Sequence, residues 1–139
     1  MKTLKIKFIA ALIAIAGITA ACSIDGDTGS TNCYSAGYAY TDAIQSSVDS
    51  VLVNVPLNIN VTFKIANSCG TFVSFREETT FPKTVAPYIE YTGCNCTATP
   101  NAVIKPYEFK SAVPGTFQLK FLKDANGTYI TKNIVVSAQ

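Results

Sequence analysis

The chain contains no histidine. That one absence removes the usual general base, the usual activator of a nucleophile and the commonest metal ligand. Copper electron-transfer sites, which rely on imidazole, are excluded with it. There is no tryptophan and only one methionine. Charge is sparse at 14 % of residues, and no glycine-rich phosphate loop occurs. Lys2, Lys5 and Lys7 crowd the first seven positions; without them eight basic residues face nine acidic ones. No basic block remains beyond the start, which argues against nucleic acid or anionic headgroups as partners.

The carboxylates are too few and too scattered for a catalytic pair. Glu77 and Glu78 are adjacent, hence on opposite faces of a strand, and Glu90 and Glu108 stand apart. A glycosidase needs two carboxylates facing each other across a cleft. Solvated surface charge is the simpler reading. Asp25-Gly26-Asp27 matches a fragment of a calcium loop but lacks the remaining ligands and the closing glutamate. The residues therefore point to no enzyme, no metal and no cofactor.

What is present begins at the N-terminus. The three lysines precede an uncharged run from Phe8 to Ile24, 17 residues against the ~20 that a membrane-spanning helix needs. A basic head, a short apolar body and small residues before a cysteine make the pattern of an export signal. Thr19-Ala20-Ala21-Cys22 resembles the lipobox of bacterial lipoproteins, with threonine where leucine is commonest. The resemblance implies removal of residues 1–21 and diacylglycerol on Cys22; the alternative is ordinary cleavage that leaves a free thiol. Each buried methylene contributes ~0.8 kcal/mol, so two or three acyl chains would hold the protein on a membrane it does not span. Ser23 after the cysteine, rather than aspartate, implies the outer membrane. Ser23-Ile24-Asp25-Gly26-Asp27 is similar to the acidic signals that send Bacteroidota lipoproteins to the cell surface; a solvated tether is the other reading. Residues 22–32, polar and glycine-bearing, are expected to be a flexible leash.

Cys33, Cys69, Cys94 and Cys96 follow the leash. An even count in an exported chain suggests two disulfides, with three connectivities open. Cys94 and Cys96 on an extended strand would lie ~6.5–7 Å apart, at or past the limit of disulfide geometry. They are expected to bond elsewhere, one with Cys69 and the other with Cys33. The rival readings are a four-thiolate zinc site, for which the usual knuckle spacing is absent, and a C-x-C redox pair.

The remaining residues, 33–139, read as strands of one domain. Val55, Leu57, Ile59, Val61, Phe63 and Ile65 alternate with polar residues, the mark of a half-buried strand. Val51 and Val53 suggest a strand before it, and Phe72 to Arg76 one after it. Val85 to Tyr91 and Val103 to Phe109 are each interrupted by proline (Pro87, Pro106), which places both at an edge or a bulge. Phe117, Leu119 and Phe121 form an inward face, Asp124-Ala125-Asn126-Gly127 a hairpin turn, and Ile130, Ile134 and Val136 the returning strand. Lys132 breaks that alternation and belongs near an edge. Tyr40 to Ser47 alone could hold a helical turn. About seven short strands in ~105 residues suit a two-sheet antiparallel sandwich.

Pro114-Gly115-Thr116-Phe117, the Asn-Gly hairpin and Ile134-Val135-Val136 resemble the last two strands of bacterial immunoglobulin-like domains. With Cys69-Gly70 and Gly93 to Thr97 they are also similar to small lipoproteins of the Bacteroidota. Lacking tryptophan and any cysteine beside Phe117, the chain departs from antibody-type domains.

Two weaker features concern recognition. Tyr34, Tyr38 and Tyr40 share parity and would line one face of an extended segment. Packing of the first strand onto the sandwich is the favoured reading; as binding aromatics they would hold a glycan or an envelope protein. Asp49-Ser50-Val51 is similar to the short O-glycosylation acceptor of Bacteroidota, with Ser50 as the modified residue. Asn-x-Thr triplets at Asn60, Asn95 and Asn126 are expected to be silent. The leading expectation is a non-catalytic, membrane-tethered binding or assembly module of the cell envelope, working through the loops Thr79 to Lys83 and Gly93 to Asn101. The rival is a thiol protein using Cys94 and Cys96 for redox exchange or soft-metal capture.

Overall fold

A computed structural model describes residues 33–139. The signal expected over residues 1–21, the acyl site Cys22 and the tether over 22–32 lie outside the described residues.

The described chain is all β, in two sheets. Nine strands run β1 (Tyr34–Tyr38), β2 (Thr41–Gln45), β3 (Ser50–Leu52), β4 (Leu57–Ile65), β5 (Gly70–Glu77), β6 (Lys83–Thr92), β7 (Asn101–Phe109), β8 (Gly115–Leu122) and β9 (Tyr129–Ser137). One sheet orders β2-β4-β7; the other orders β1-β6-β8-β9-β3, with β5 on the remaining flank of β6. Among the described residues there is no helix.

The clearest alternation in the sequence becomes the middle of the smaller sheet. Leu57, Ile59, Val61, Phe63 and Ile65 are all buried and Asn58, Asn60 and Lys64 are exposed, because successive side chains of a strand point to opposite faces. Val55 lies before the strand and is exposed. The facing layer supplies Val85, Ile89, Leu119, Phe121, Ile134 and Val136, so the core sits between the sheets. Aromatic rings bind the layers together. Phe63, Phe72, Phe75, Tyr107 and Phe121 meet edge-on or tilted at 5.1–6.4 Å between centroids, the arrangement favoured by the ring quadrupole.

Four expectations are corrected. The stretch Tyr40 to Ser47 holds β2 (Thr41–Gln45), not a helical turn. A bulge between Thr41 and Ala43 in the pairing with β4 inserts one residue, so buried Thr41 and half-buried Ile44 face inward three positions apart. That spacing imitates a helix. The strand total is therefore nine rather than about seven. The sheets are also not wholly antiparallel: β3 pairs β9, and β6 pairs β8, in parallel. Long stretches of chain separate the members of both pairs, so no hairpin dictates their direction.

Pro87 supplies the fourth correction. It is buried inside β6, a strand with neighbours on both flanks. β8 pairs Lys83 to Val85, and β1 pairs Tyr88 to Thr92 on the same flank. Pro87 sits at the gap between them, and its carbonyl accepts the Ala39 N–H at 2.9 Å. Its missing N–H points into that gap, where no strand requires a donor. Beside it, β5 bulges between Phe72 and Ser74. Pro106 does lie on an edge strand, β7. Lys132 faces the inner side of β9 just short of where β3 begins to pair, and its ammonium bonds the Asp49 carboxylate.

Candidate functional site

The cysteines gather at one end of the sandwich. Cys33 bonds Cys94 and Cys69 bonds Cys96, with Cα separations of 5.0 and 5.4 Å. The first bond extends the β1–β6 ladder, since the Gly93 N–H donates to the Cys33 carbonyl at 2.8 Å. The second ties the β4–β5 turn to the segment after β6, and the Thr92 N–H donates to the Cys69 carbonyl at 3.1 Å. Neither bond joins Cys94 to Cys96, whose C-x-C spacing turns each toward a different partner. Among the described residues no group of histidine, cysteine, aspartate or glutamate could hold a metal ion. Gly70, beside Cys69, is packed so closely that a Cβ would lie 2.2 Å from Ile65 Cγ2 and 2.6 Å from Tyr91 Cε1.

The tyrosines share a face, and it is the outer one. In the β1–β6 register Gly37 opposes Ile89, while Ala36 opposes Glu90 and Tyr38 opposes Tyr88. Ile89 belongs to the core, so Gly37 and buried Ala39 face inward, and Tyr34 and Tyr38 face solvent. They are 54 % and 58 % exposed, and Tyr40, beyond the strand, 43 %. The first strand does join the sandwich, as the favoured reading expected, but it packs through its small alternate residues and Ala39 and turns its tyrosine rings outward. The Tyr34 phenol titrates above the ordinary tyrosine range, first through lost solvation and then through the negative charge of nearby Glu90.

Tyr38 is not a loose ring. Its edge meets Tyr88 at 5.7 Å, and the Arg76 guanidinium covers Tyr88 at 4.8 Å. Beside this stack the outer face dips into a groove of about 310 Å³. Tyr38 and Tyr129 stand on its rim, and Ala86, Thr84, Arg76 and Glu78 also line it. Ala86 is 6 % exposed although its parity points it outward. The Lys120 ammonium lies 5.9 Å from the Tyr129 ring. Chemically the groove offers apolar rings, a guanidinium, a carboxylate and a hydroxyl around a methyl floor. Its components come from β1, β5, β6, β8 and β9, and no motif links them. The one signal in the sequence is the outward row Thr84, Ala86, Tyr88, Glu90, whose smallest member marks the dip.

Glu77 also lines the groove, but its carboxylate is engaged elsewhere. It accepts a hydrogen bond from the Tyr107 hydroxyl of the opposite sheet and pairs with Lys83 at 3.2 Å. Burial, and then that bond, push the Tyr107 phenol well above the ordinary tyrosine range. Ser50 opens β3 and is exposed, beside the Asp49 carboxylate held by Lys132. The loop after β5 is anchored by Phe81, which packs on Phe117 at 4.9 Å and Phe109 at 6.4 Å. The loop after β6 is pinned by both disulfides. The sheet-face groove is thus one of two ring-walled concavities; the other, of about 320 Å³, lies at the disulfide end, where Tyr34, Tyr91, Gly93 and Cys96 line it beside the loop singled out in the sequence.

Compared with protein families, with characterised proteins and with solved structures, the chain has no match.

Proposed function

We propose that the protein is a lipid-anchored, non-catalytic binding or assembly module of a bacterial cell envelope. On this reading residues 1–21 are an export signal, Cys22 carries the acyl chains, and the leash to residue 32 delivers an immunoglobulin-like sandwich to the periplasmic or outer surface of the outer membrane. The observation that carries it is the double disulfide at the point where the leash enters the domain. Such bonds persist in oxidising compartments. One of them clamps the first described residue of the domain, Cys33, to Cys94, so a pull from the membrane is borne by a covalent bond. The pairing speaks against thiol exchange by a Cys94–Cys96 couple, because each sulfur is already bonded to a cysteine from another segment.

Mass spectrometry of the N-terminal peptide, with a thiol count on the exported protein, tests this reading. Diacylglycerol on Cys22, release only by detergent and no free thiol are the expected results. A soluble product without fatty acid would refute the anchor. Two or more free thiols would favour redox or soft-metal chemistry instead.

A further inference from the structure

Resting on the binding-module reading, we propose that the groove between Tyr38 and Tyr129 on the outer face of the six-stranded sheet is a binding site for a neutral saccharide. Three observations carry this. The first is preorganisation: Tyr38 is braced by Tyr88, which is itself covered by Arg76, so little side-chain freedom is lost when a ligand stacks on the rim. The second is the balance of charge. Arg76, Glu77 and Glu78 all line the groove, but the Glu77 carboxylate is already engaged by Lys83 and Tyr107, which leaves Arg76 and Glu78 for a ligand. Among the described residues the Arg76 guanidinium has no hydrogen-bond acceptor and lies over the Tyr88 ring. The Glu78 carboxylate receives only a long bond from the Thr84 N–H, at 3.4 Å. A phosphate or other anion would set its charge against Glu78. A purely aliphatic chain would strip water from both ions and return no hydrogen bond, a costly exchange. A sugar offers an apolar C–H face for the tyrosines and a rim of hydroxyls that donate to Glu78 and accept from Arg76.

The third is size. A volume of about 310 Å³ lies at the lower end of small-molecule sites. Eight residues line it, whereas a stable protein interface engages about 20–30 residues a side. The methyl floor matters here. A leucine at position 86 would extend into the groove, since Ala86 lines it.

The test is calorimetric titration of the exported protein, held in a detergent without sugar headgroups, against linear hexasaccharides of glucose, mannose, xylose and N-acetylglucosamine. Because the chain has no tryptophan, tyrosine emission reports the same event. At least one probe should bind with Kd below ~1 mM. Tyr38→Ala and Tyr129→Ala should each weaken binding by ~10-fold or more, and Ala86→Leu should abolish it in a variant whose far-UV circular dichroism shows the β fold retained. Tyr40→Ala, an exposed ring outside the groove, should leave it unchanged. Absence of binding by every probe, or binding untouched by Ala86→Leu, overturns the proposal. Release of the protein without detergent would refute the anchor while leaving these titrations intact. Capture of a protein partner through the end loops, with no saccharide bound, would refute the site and leave the module reading standing.

Discussion

Replacing Tyr107 with phenylalanine separates two effects that ordinary core mutations merge. Tyr107 is a buried residue of the smaller sheet whose hydroxyl donates to Glu77 of the larger one. The ring would keep its edge-on contacts with Phe75 at 5.5 Å and Phe121 at 5.7 Å, so no cavity forms and only the hydrogen bond is lost. A bond to a charged acceptor contributes about 1.5–3 kcal/mol. The Glu77 side chain is 42 % exposed and keeps its pairing with Lys83, so water and Lys83 compensate in part. The expected loss at pH 7 is about 1–2 kcal/mol. The alkaline limb is more diagnostic. The phenol is held above its ordinary range in the folded state and ionises near pH ~10 when unfolded. Above that pH the unfolded chain has lost a proton that the folded chain retains, so stability falls as pH rises. The slope is at most about 1.4 kcal/mol per pH unit, less what solvent screens at the exposed Glu77 end. Below pH ~10 this group makes stability no steeper in pH. Urea unfolding from pH 7 to 11.5 would measure both. Wild type and Tyr107→Phe should converge as pH climbs; parallel curves across the whole range would refute the assignment of the bond.

Three further outcomes follow from the packing. Phe63 is fully buried at the centre of the aromatic cluster, and Phe63→Ala should cost about 3–5 kcal/mol in equilibrium unfolding. Gly70→Ala drives a Cβ into Ile65 and Tyr91. Overpacking of this kind costs typically about 1–3 kcal/mol, and a melting temperature equal to wild type would show that these neighbours yield freely. The disulfides span 61 and 27 residues, for which loop closure gives about 4.3 and about 3.5 kcal/mol. Paired serine substitutions should therefore destabilise more at Cys33 and Cys94 than at Cys69 and Cys96, as read from denaturation midpoints. The loops interlock, so removing both bonds should cost less than the two isolated closure values added together, and more than the two single-pair losses added together.

Legibility in the sequence followed how local the cause was. Leu57 to Ile65 could be read directly because its partners lie on both flanks and its two faces differ, so alternation survives. The hairpin at Asp124 to Gly127 was equally plain: Gly127 adopts φ +76°, and the Asp124 carboxylate accepts the N–H groups of Asn126 and Thr128. Bulges broke the code at β2, where one inserted residue gave Thr41 and Ile44 a helical spacing. Pro87 misled for a related reason. Its missing donor was expected to need an edge or a bulge; a bulge does lie beside it in β5, but the donor is spared by a change of partner strand along the other flank.

By itself the sequence determined the two-sided pattern of the strands, the separation of Cys94 from Cys96 and the lack of any imidazole chemistry. All three depend on residue type and near-neighbour spacing. Only the tertiary structure decided which cysteine meets which, that Tyr34 and Tyr38 look outward, and that Tyr38, Arg76, Ala86 and Tyr129 border one groove. Those facts depend on which strands become neighbours and in which direction. Periodicity names a strand's two faces, but packing chooses the one that is covered.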